Sequence, residues 1–416
     1  MYLYASVLHM RGGQVTRQPW EDKAGNVLLW NGEVFGGPIK VGPGENDTER
    51  IGHCLHELGQ GSREERKARV GQILCRIEGP FAFVYYEADG GRIWFGRDAL
   101  GRRSLLTIRP KDEESQEGSE ERMGIFLASV APDGGGEGGE EVEAGQGVFY
   151  ISISEWMRGE ARVHYFPRPE PLRPINVALP CPEELPDPQE LEQGMRTGPD
   201  GTLGTFPLAY QQAMQGLYKV MYEADRRGED GRVAILFSGG VDCTTLAVLV
   251  DQILGKEEAI DLINVAFENP RELRAQGKVM GEGMGNWAQV PDRKTGKTAL
   301  MELARLSPNR EWRWIEVNVE YWEVEKYRER VEGLMRPSRT RMDLSIALAF
   351  WFATRGKGKE GPGEMYTSKA KVVMLGSGAD EQLGGYSRHR EAYERGGWER
   401  LVEEVRSCLG RERRKA

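Results

Sequence analysis

The chain has 416 residues, of which 39% are hydrophobic and 29% are charged, and its formal net charge is −9. A chain of this length has room for two or three domains with sizeable cores, and it has no apolar run near the roughly 18 residues that are needed to cross a bilayer. The negative charge gives no long-range attraction to nucleic acid or to an anionic membrane surface, so we expect neither as a partner.

The number and spacing of the cysteines indicate which cellular location to expect. They are five in number, widely spaced and without a Cys-x-x-Cys pair, which argues against a disulfide framework and against a zinc site. The N-terminal sequence MYLYASVLHM has no charged segment followed by a long apolar one, so we expect no secretory signal. We therefore expect a reducing, cytoplasmic location.

Residues 1–150 are predicted to form a sheet-rich domain of short strands. The run NVLLWNGEVF (26–35) has strand composition, and in FAFVYYEADGGRIWFGRD (81–98) the turn Asp89-Gly90-Gly91 is expected to join two strands as a hairpin. The polar, glycine-rich segments 109–122 and 132–147 are expected to be surface loops, because they cannot bury enough apolar surface to offset their ordering entropy.

A proline-rich segment marks the predicted domain boundary. Eight prolines fall within residues 167–188, and this composition stiffens an extended chain and disfavours helix. We therefore divide the chain into a domain at 1–165, a connector at 166–200 and a second domain at 201–416.

Beyond the connector, strands are predicted to alternate with helices. This pattern indicates a doubly wound, parallel α/β sheet, in which ligands bind outside the carboxyl ends of the strands. The predicted strands are 233–237, 261–267, 312–319 and 371–375, and the predicted helices are 209–227, the segment that ends at Leu254, and 345–355.

The sequence VAILFSGGVDCTTLAVL (233–249) reads as a buried strand, a glycine turn and the start of a helix. Backbone N–H groups and the positive end of the helix dipole converge on Ser238-Gly239-Gly240, which suits an anion such as phosphate. Asp242 is placed to hold a cation that bridges phosphates, since Mg²⁺ is usually bound by one or two carboxylates plus the nucleotide. An ordinary glycine-rich turn is the alternative, and the register of strand, turn and helix favours the phosphate site.

A second glycine-containing segment does not fit the phosphate loop of kinase-type nucleotide enzymes. In DRKTGKT (292–298), Pro291 stands where the first glycine of that loop should be, and no strand leads in. We therefore give this segment little weight as a nucleotide site.

An acidic glycine turn follows another apolar strand in VVMLGSGADEQLGGYSRHR (372–390). Asp380 and Glu381 have a simple alternative explanation as first-turn carboxylates of a helix. However, two acidic turns that end separate strands offer one cation two anchoring points.

These two turns resemble those of known enzymes. The SGGxD turn resembles the pyrophosphate loop of the ATP pyrophosphatases, although Cys243 stands where that family has serine or threonine, so Thr244 or Thr245 would have to supply the hydroxyl. The later segment resembles the GxGxDExxGGY segment of asparagine synthetases, and in particular the asparagine synthetase domain-containing branch of that family. The segment 337–356 is similar to the family's helix beside the nucleotide, and its apolar residues are interpreted as core.

The resemblance implies an activity. In asparagine synthetases, ATP adenylates the β-carboxylate of aspartate, and ammonia released from glutamine attacks the acyl-adenylate to give asparagine, AMP and pyrophosphate. It thus implies ATP and Mg²⁺ as cofactors, and aspartate with glutamine or ammonia as substrates, while a homodimer stays open. The implied catalytic residues are Asp242, Asp380 and Glu381, of which Asp242 and Asp380 would hold the metal. The implied ATP and pyrophosphate contacts are Leu236, Ser238, Gly239, Gly240, Asp242, Cys243, Thr244, Val265, Gly376, Ser377 and Gly378.

The first domain resembles class-II glutamine amidotransferases, which implies an α+β sandwich that is incomplete at its N-terminus. The matching segments, in order, are HMRGGQVTRQPW (9–20), LLWNGEVFGG (28–37), GENDTER (44–50) and FGRDALGRRSLL (95–106). The resemblance places an oxyanion hole at Asn31 and Gly32, and the last segment retains the family's Asp98 and Gly101. The glutamine-binding residues that it implies are Arg11, Asn31, Gly32, Glu33 and Asp47.

The resemblance stops at the nucleophile. Class-II amidotransferases use an N-terminal cysteine with its own amine as base, whereas this chain begins Met1-Tyr2 and its first cysteine is Cys54. The C-terminus also stops before the family's later lysine-containing segment. From the chain as printed we expect impaired or ammonia-dependent synthesis, with a truncated gene model, a fragment and a degenerate paralogue all open.

Two other functions stay open at this stage. One is a ligase similar to β-lactam synthetases, which would adenylate a different carboxylate; retention of Arg11, Asn31 and Asp47 argues against it. The other is a catalytically silent, ATP-binding regulatory protein that keeps the fold.

Overall fold

The computed structural model divides the chain into two compact units, Met1–Leu179 with Gly410–Ala416, and Pro180–Leu409. Five predicted features lie outside the residues that the structure describes: the loop at 109–122, the connector from 169 onward, the helix at 209–227, Arg11 and Glu381. The described residues are 1–7, 14–42, 44–58, 61–108, 124–131, 140–142, 147–160, 162–168, 233–271, 287–361, 363–380 and 384–415.

The first unit combines two antiparallel sheets with helices. Its strands are β1 (Trp20–Glu21), β2 (Val27–Gly32), β3 (Phe81–Glu87), β4 (Arg92–Arg97), β5 (Leu106–Ile108), β6 (Phe126–Ala128), β7 (Glu140–Glu141), β8 (Gly147–Ser152) and β9 (Val163–Pro167), and its helices are α1 (Asp47–Glu57), α2 (Arg63–Arg76) and α3 (Ile153–Met157). The strands pair in the order β1-β2-β3-β4-β8-β9 in the larger sheet and β6-β5-β7 in the smaller one.

The core of this unit follows from the alternation of side chains along its strands. Phe81, Phe83 and Tyr85 of β3 are almost fully buried in the cluster that includes residues of α1 and α2. Between them, Ala82 belongs to a cluster on the opposite face, with Leu105 just before β5. Successive side chains of a strand point to opposite faces of its sheet, so β3 contributes to both clusters. The unit is therefore a sandwich, with helices on one face of the larger sheet and the smaller sheet on the other.

The predicted hairpin is confirmed. Strands β3 and β4 pair in antiparallel register from Ala82 opposite Arg97 to Glu87 opposite Arg92. Gly91, in the connecting loop, has a φ of 57°, a left-handed conformation that favours glycine. The aromatic and β-branched runs on either side thus form the centre of the larger sheet.

Two features of this unit differ from the predictions. Helices α1 and α2 are not among the predicted elements, although Ser62 and Glu65 form a reciprocal capping box at the start of α2, a pattern visible in the sequence as Ser-x-x-Glu. The segment 132–147 is not a loop throughout, because Glu140 and Glu141 pair with β5. Val142, which follows them, is buried, so its apolar side chain secures this short strand to the core.

The second unit is built around a mixed sheet. Its strands are β10 (Val233–Leu236), β11 (Ile260–Phe267), β12 (Trp312–Val319), β13 (Lys357–Glu360), β14 (Glu364–Thr367) and β15 (Val372–Met374), and its helices are α4 (Val241–Ile253), α5 (Pro291–Leu306), α6 (Tyr321–Leu334), α7 (Arg341–Ala353) and α8 (Ser387–Lys415), which extends past Leu409, the last residue of this unit. The strand order is β14-β13-β12-β11-β10-β15. A short 3₁₀ turn, Trp287–Gln289, precedes α5, and α8 is interrupted by non-helical backbone at Gly396 and Gly397.

Helices cover both faces of this sheet. Val233, Ile235 and Phe237 pack in a cluster with residues of α4 and α5, whereas Ala234 packs in a second cluster with residues of α6 and α7. The doubly wound arrangement is therefore confirmed. The four predicted strands are also present, each within two residues of its predicted ends.

The sheet is not purely parallel, which corrects the prediction. Strands β10, β11, β12 and β15 are parallel, but β13 pairs antiparallel with both β12 and β14. Only residues 361–363 separate β13 from β14, and such a short connection permits a hairpin but no crossover. Within the described ranges, no helix combines the length and the apolar character that a membrane span needs.

Candidate functional site

The two acidic glycine turns lie side by side at the carboxyl ends of two neighbouring parallel strands in the second unit's sheet. Strand β10 pairs in parallel with β11 on one side and with β15 on the other, with Ile235 opposite Met374. The chain runs outward from β10 through β11 and β12, and only later returns to β15 on the far side. This reversal of strand order is a topological switch point, where open α/β sheets bind their ligands.

The first turn lies at the surface of the unit. Gly239 has a φ of 85°, and Ser238 and Gly240 are exposed. Gly240 is the N-cap of α4, and no side-chain cap hydrogen bond at that helix start is found among the described residues. Uncapped N–H groups at the positive end of a helix dipole are suited to an anion.

The residues after the turn divide between core and surface. Cys243 is 5% exposed and its thiol donates to the carbonyl of Gly240 at 3.3 Å, so its side chain closes the turn from the core side. The Thr244 hydroxyl is buried and has no hydrogen-bond partner among the described residues. Thr245 is exposed.

The second turn touches the first through Gly376 and Asp242. A Cβ added at Gly376 would stand 2.9 Å from the Cβ of Asp242, so the two backbones approach closely only because residue 376 is glycine. Asp380 accepts a hydrogen bond at its carbonyl from the N–H of Gly385 at 3.0 Å. Asp242 and Asp380 are both half-buried, whereas Glu381 lies outside the described residues.

The other predicted nucleotide contacts fall near the same edge. Leu236 and Val265 are half-buried and pack against the cluster on the α6 and α7 side of the sheet. Ser377 is exposed, and Gly378 has a φ of 89°. The described part of the chain has no group of three or more His, Cys, Asp or Glu side chains arranged to hold a metal, so a metal here would depend on ligand phosphates as well as on protein carboxylates.

In the first unit, the predicted oxyanion segment is held against the chain just before β3. The N–H of Glu33 donates to the carbonyl of Pro80 at 2.9 Å, and a Cβ at Gly32 would stand 2.1 Å from that same oxygen. Asn31 is exposed at the end of β2. Asp47 is 3% exposed and accepts from the N–H of Val34 at 3.0 Å, so one of its oxygens already fixes the backbone of this segment.

Asp98, in the last matched segment, organises a turn. It is 1% exposed and accepts from the N–H groups of Phe81 at 3.1 Å, Leu100 at 3.0 Å and Arg102 at 2.9 Å. The Arg102 guanidinium also donates to it at 3.0 Å. A carboxylate with this many donors joins the end of β4 to the start of β3.

Comparisons with known proteins decide the family. No protein-family model matches the chain. Asparagine synthetase domain-containing protein 1 of Mus musculus is 32% identical to it over 97% of this chain and 75% of that protein, and its Homo sapiens counterpart is 32% identical over 98% and 74%. The chain belongs to the asparagine synthetase domain-containing protein family.

A more distant relative is also similar in sequence over most of the chain. An asparagine synthetase domain-containing protein of Saccharomyces cerevisiae is 28% identical over 92% of this chain and 65% of that protein. Among solved structures, the glutamine phosphoribosylpyrophosphate amidotransferase of B. subtilis, complexed with ADP and GMP, is 14% identical with a TM-score of 0.24, over 63% of this chain and 53% of that one. That TM-score supports no conclusion about the fold.

Two side chains beside the first turn in this family member were missed by the sequence predictions. Asn264 is 1% exposed within the apolar strand β11, and Thr295 belongs to the segment DRKTGKT, which is helical throughout as part of α5. The available signals were an amide in an otherwise apolar strand, which when buried requires hydrogen-bond partners, and a glycine inside a helical pattern, which when retained usually has a packing reason.

Proposed function

We propose that this chain binds Mg-ATP at the carboxyl ends of β10 and β15 and uses it to adenylate the side-chain carboxylate of aspartate, which is then amidated with ammonia or with nitrogen from glutamine. Membership of the asparagine synthetase domain-containing protein family supports the reaction class, because the name of that family refers to a synthetase of asparagine.

One observation carries the proposal: the two acidic turns meet at the switch point of the sheet. The contact of Gly376 with Asp242 brings together turns that are separated by more than a hundred residues in sequence. An ATP tail laid across this edge would reach N–H groups from the first turn and carboxylates from both. We propose that Asp242 and Asp380 share the cation, with Glu381 beside them.

The described residues fit a phosphate group. The uncapped start of α4 and the exposed turn Ser238-Gly239-Gly240 would donate N–H groups to the leaving pyrophosphate, and fixed donors aimed at developing charge are a major source of catalysis. The orphaned hydroxyl of Thr244 is a further group that a phosphate oxygen would satisfy. A bound Mg²⁺ would neutralise charge on the phosphates and orient them.

Adenine and glutamine are assigned by position. Leu236 and Val265 share one face of the sheet at its carboxyl edge, where an apolar base would sit beside the phosphates. For the first unit, we propose that Asn31 and Gly32 face a glutamine amide, while Asp47 supports this segment through Val34. The glutamine contact of Arg11 belongs to the same proposal.

The test measures Mg-ATP binding by calorimetry and AMP release by chromatography. The acceptors are aspartate, glutamate, an N-carboxyalkyl amino acid or none, each with ammonium or with glutamine. We expect AMP release that requires aspartate and a nitrogen donor. Release with another carboxylate alone would identify a different ligase, and ATP binding without AMP release would indicate a silent nucleotide-binding protein; either result contradicts the proposal.

A matched pair of variants assigns the site. Asp242→Asn should abolish Mg-dependent ATP binding, because it removes a proposed metal ligand with little change in shape. Glu257→Gln, at an exposed position in the loop after α4, removes the same charge elsewhere in the unit and should bind as the natural chain does. Equal binding by both variants would remove Asp242 from the proposal.

A further inference from the structure

Helix α5 lies directly against the turn proposed to bind phosphate. A Cβ added at Gly239 would stand 2.4 Å from the backbone nitrogen of Gly296 and 2.5 Å from the carbonyl oxygen of Thr295. Real Cβ atoms do not approach backbone this closely, so the contact between turn and helix requires glycine at 239. The left-handed φ of this residue, 85°, adds a second requirement for glycine.

The side chain of Thr295 joins the helix to the turn. Its hydroxyl oxygen lies 2.8 Å from the carbonyl of Ser238 and 3.0 Å from the carbonyl of Pro291, one helical turn earlier. A hydroxyl has a single proton to donate, so the two carbonyls share it. The Ser238 carbonyl belongs to the turn itself.

A buried amide makes a second connection. The side-chain nitrogen of Asn264 donates to the carbonyl of Phe237 at 2.8 Å and to that of Asp292 at 3.0 Å. An amide nitrogen carries two protons. One is donated to Phe237 at the start of the turn and the other to Asp292 in α5. Asn264 is 1% exposed, so this bridge is protected from competing water.

The close packing of α5 depends on a further glycine. A Cβ at Gly296 would stand 2.6 Å from the Trp314 ring and 3.0 Å from the side-chain nitrogen of Asn264. Any larger residue would displace the ring or break the bridge from Asn264. Glycine lowers the stability of a helix interior, so close packing explains why this position is not alanine.

We propose that Asn264, Thr295 and Gly296 are positioning residues that hold the backbone of the turn at 237–240 in one conformation, so that its N–H groups are arranged before the pyrophosphate group of ATP arrives. These contacts are made within the chain itself, and only the identity of the anion rests on the proposed function. Donors that are already oriented need no ordering when the ligand binds, and this strengthens binding.

The first experiment needs no nucleotide. Hydrogen exchange of the segment 237–243 is measured in the natural chain, in Thr295→Ala and in Thr298→Ala. Thr298 makes the same hydroxyl bond to the carbonyl four residues earlier, Lys294, at 3.2 Å, but no contact with the turn among the described residues. We expect faster exchange of this segment in Thr295→Ala alone; equal exchange in both variants would overturn the proposal.

The second experiment measures the Kd of Mg-ATP, with kcat and KM where turnover is seen. Loss of one neutral hydrogen bond corresponds to roughly three- to tenfold in affinity, so we expect that rise for Thr295→Ala, recovery for Thr295→Ser and no change for Thr298→Ala. If Thr295→Ala only destabilised the fold, the fraction of active protein would fall while the Kd of Mg-ATP stayed the same. That result would overturn the positioning role. If the natural chain binds no ATP, the proposed function fails, and hydrogen exchange alone decides the positioning role.

Discussion

Gly376 of the second turn lies against Asp242 of the first, so closely that a Cβ at position 376 would stand 2.9 Å from the Cβ of Asp242. The position of Asp242 is therefore constrained by a residue that follows a different strand, β15. It depends on the pairing of β10 with β15 as well as on its own helix.

This contact predicts the effect of Gly376→Ala. Overpacking by a methyl group costs about 1–3 kcal/mol, and we expect it to appear as displacement of Asp242, because the turns are half-exposed and can shift. Mg-ATP binding should weaken about tenfold, which corresponds to about 1.4 kcal/mol, as measured by calorimetry. Gly333→Ala is the control, since a Cβ there meets nothing within 4 Å; comparable weakening in both variants would contradict the prediction.

The buried carboxylate of Asp98 predicts a loss of stability in the first unit. Asp98→Ala leaves several N–H donors of the turn and of β3 without their acceptor, and each buried unsatisfied group costs about 1–3 kcal/mol. We expect the free energy of unfolding to fall by about 3 kcal/mol or more, measured by urea denaturation. Asp89→Ala, at an exposed hairpin position, should change it by less than about 0.5 kcal/mol.

The lowered pKa of Asp251 predicts that this residue stabilises the fold less as the pH falls. Burial alone would raise the pKa of Asp251, but hydrogen bonds from Lys256, Ser307 and Arg310 outweigh burial and hold that pKa below its ordinary value. A pKa that is lower in the folded state adds stability above the unfolded pKa, and this is lost as pH falls through the folded pKa. The advantage of the natural chain over Asp251→Asn in unfolding free energy should therefore shrink below about pH 4.

The raised pKa of Asp261 predicts the opposite pH dependence of the unfolding free energy. Burial raises the pKa of Asp261 despite hydrogen bonds from Ser368 and Tyr366, so the folded state favours the protonated acid. The stability contributed by that acid is present at low pH and is lost as pH rises through the folded pKa. Relative to the natural chain, Asp261→Asn should gain stability from about pH 4 to pH 7, measured by urea denaturation; the same sign for Asp251→Asn and Asp261→Asn would contradict both assignments.

The sequence predicted those parts of the site that depend on short-range pattern. Residues 233–237 form a continuous apolar run, and the glycines after them favour a turn before α4, so strand, turn and helix were readable within seventeen residues of sequence. The same holds for the hairpin at Gly91. The start of α2 had a local signal as well, in Ser62 and Glu65, which the predictions did not use.

Contacts between distant segments were not readable in this way. Whether β15 pairs with β10 or with another strand depends on the competition among all apolar strands for the centre of the sheet, and this decides that Gly376 meets Asp242. The bridges from Asn264 and Thr295 to the turn likewise depend on how closely α5 packs.

The amino-acid sequence by itself thus determined the elements and the chemistry of each turn, because burial period and glycine geometry act over a few residues. Tertiary structure alone decided which turns share an edge and which side chains support them. Strand order and helix packing are set by the summed burial of residues far apart in the chain, and the local pattern at any one of them carries little of that information.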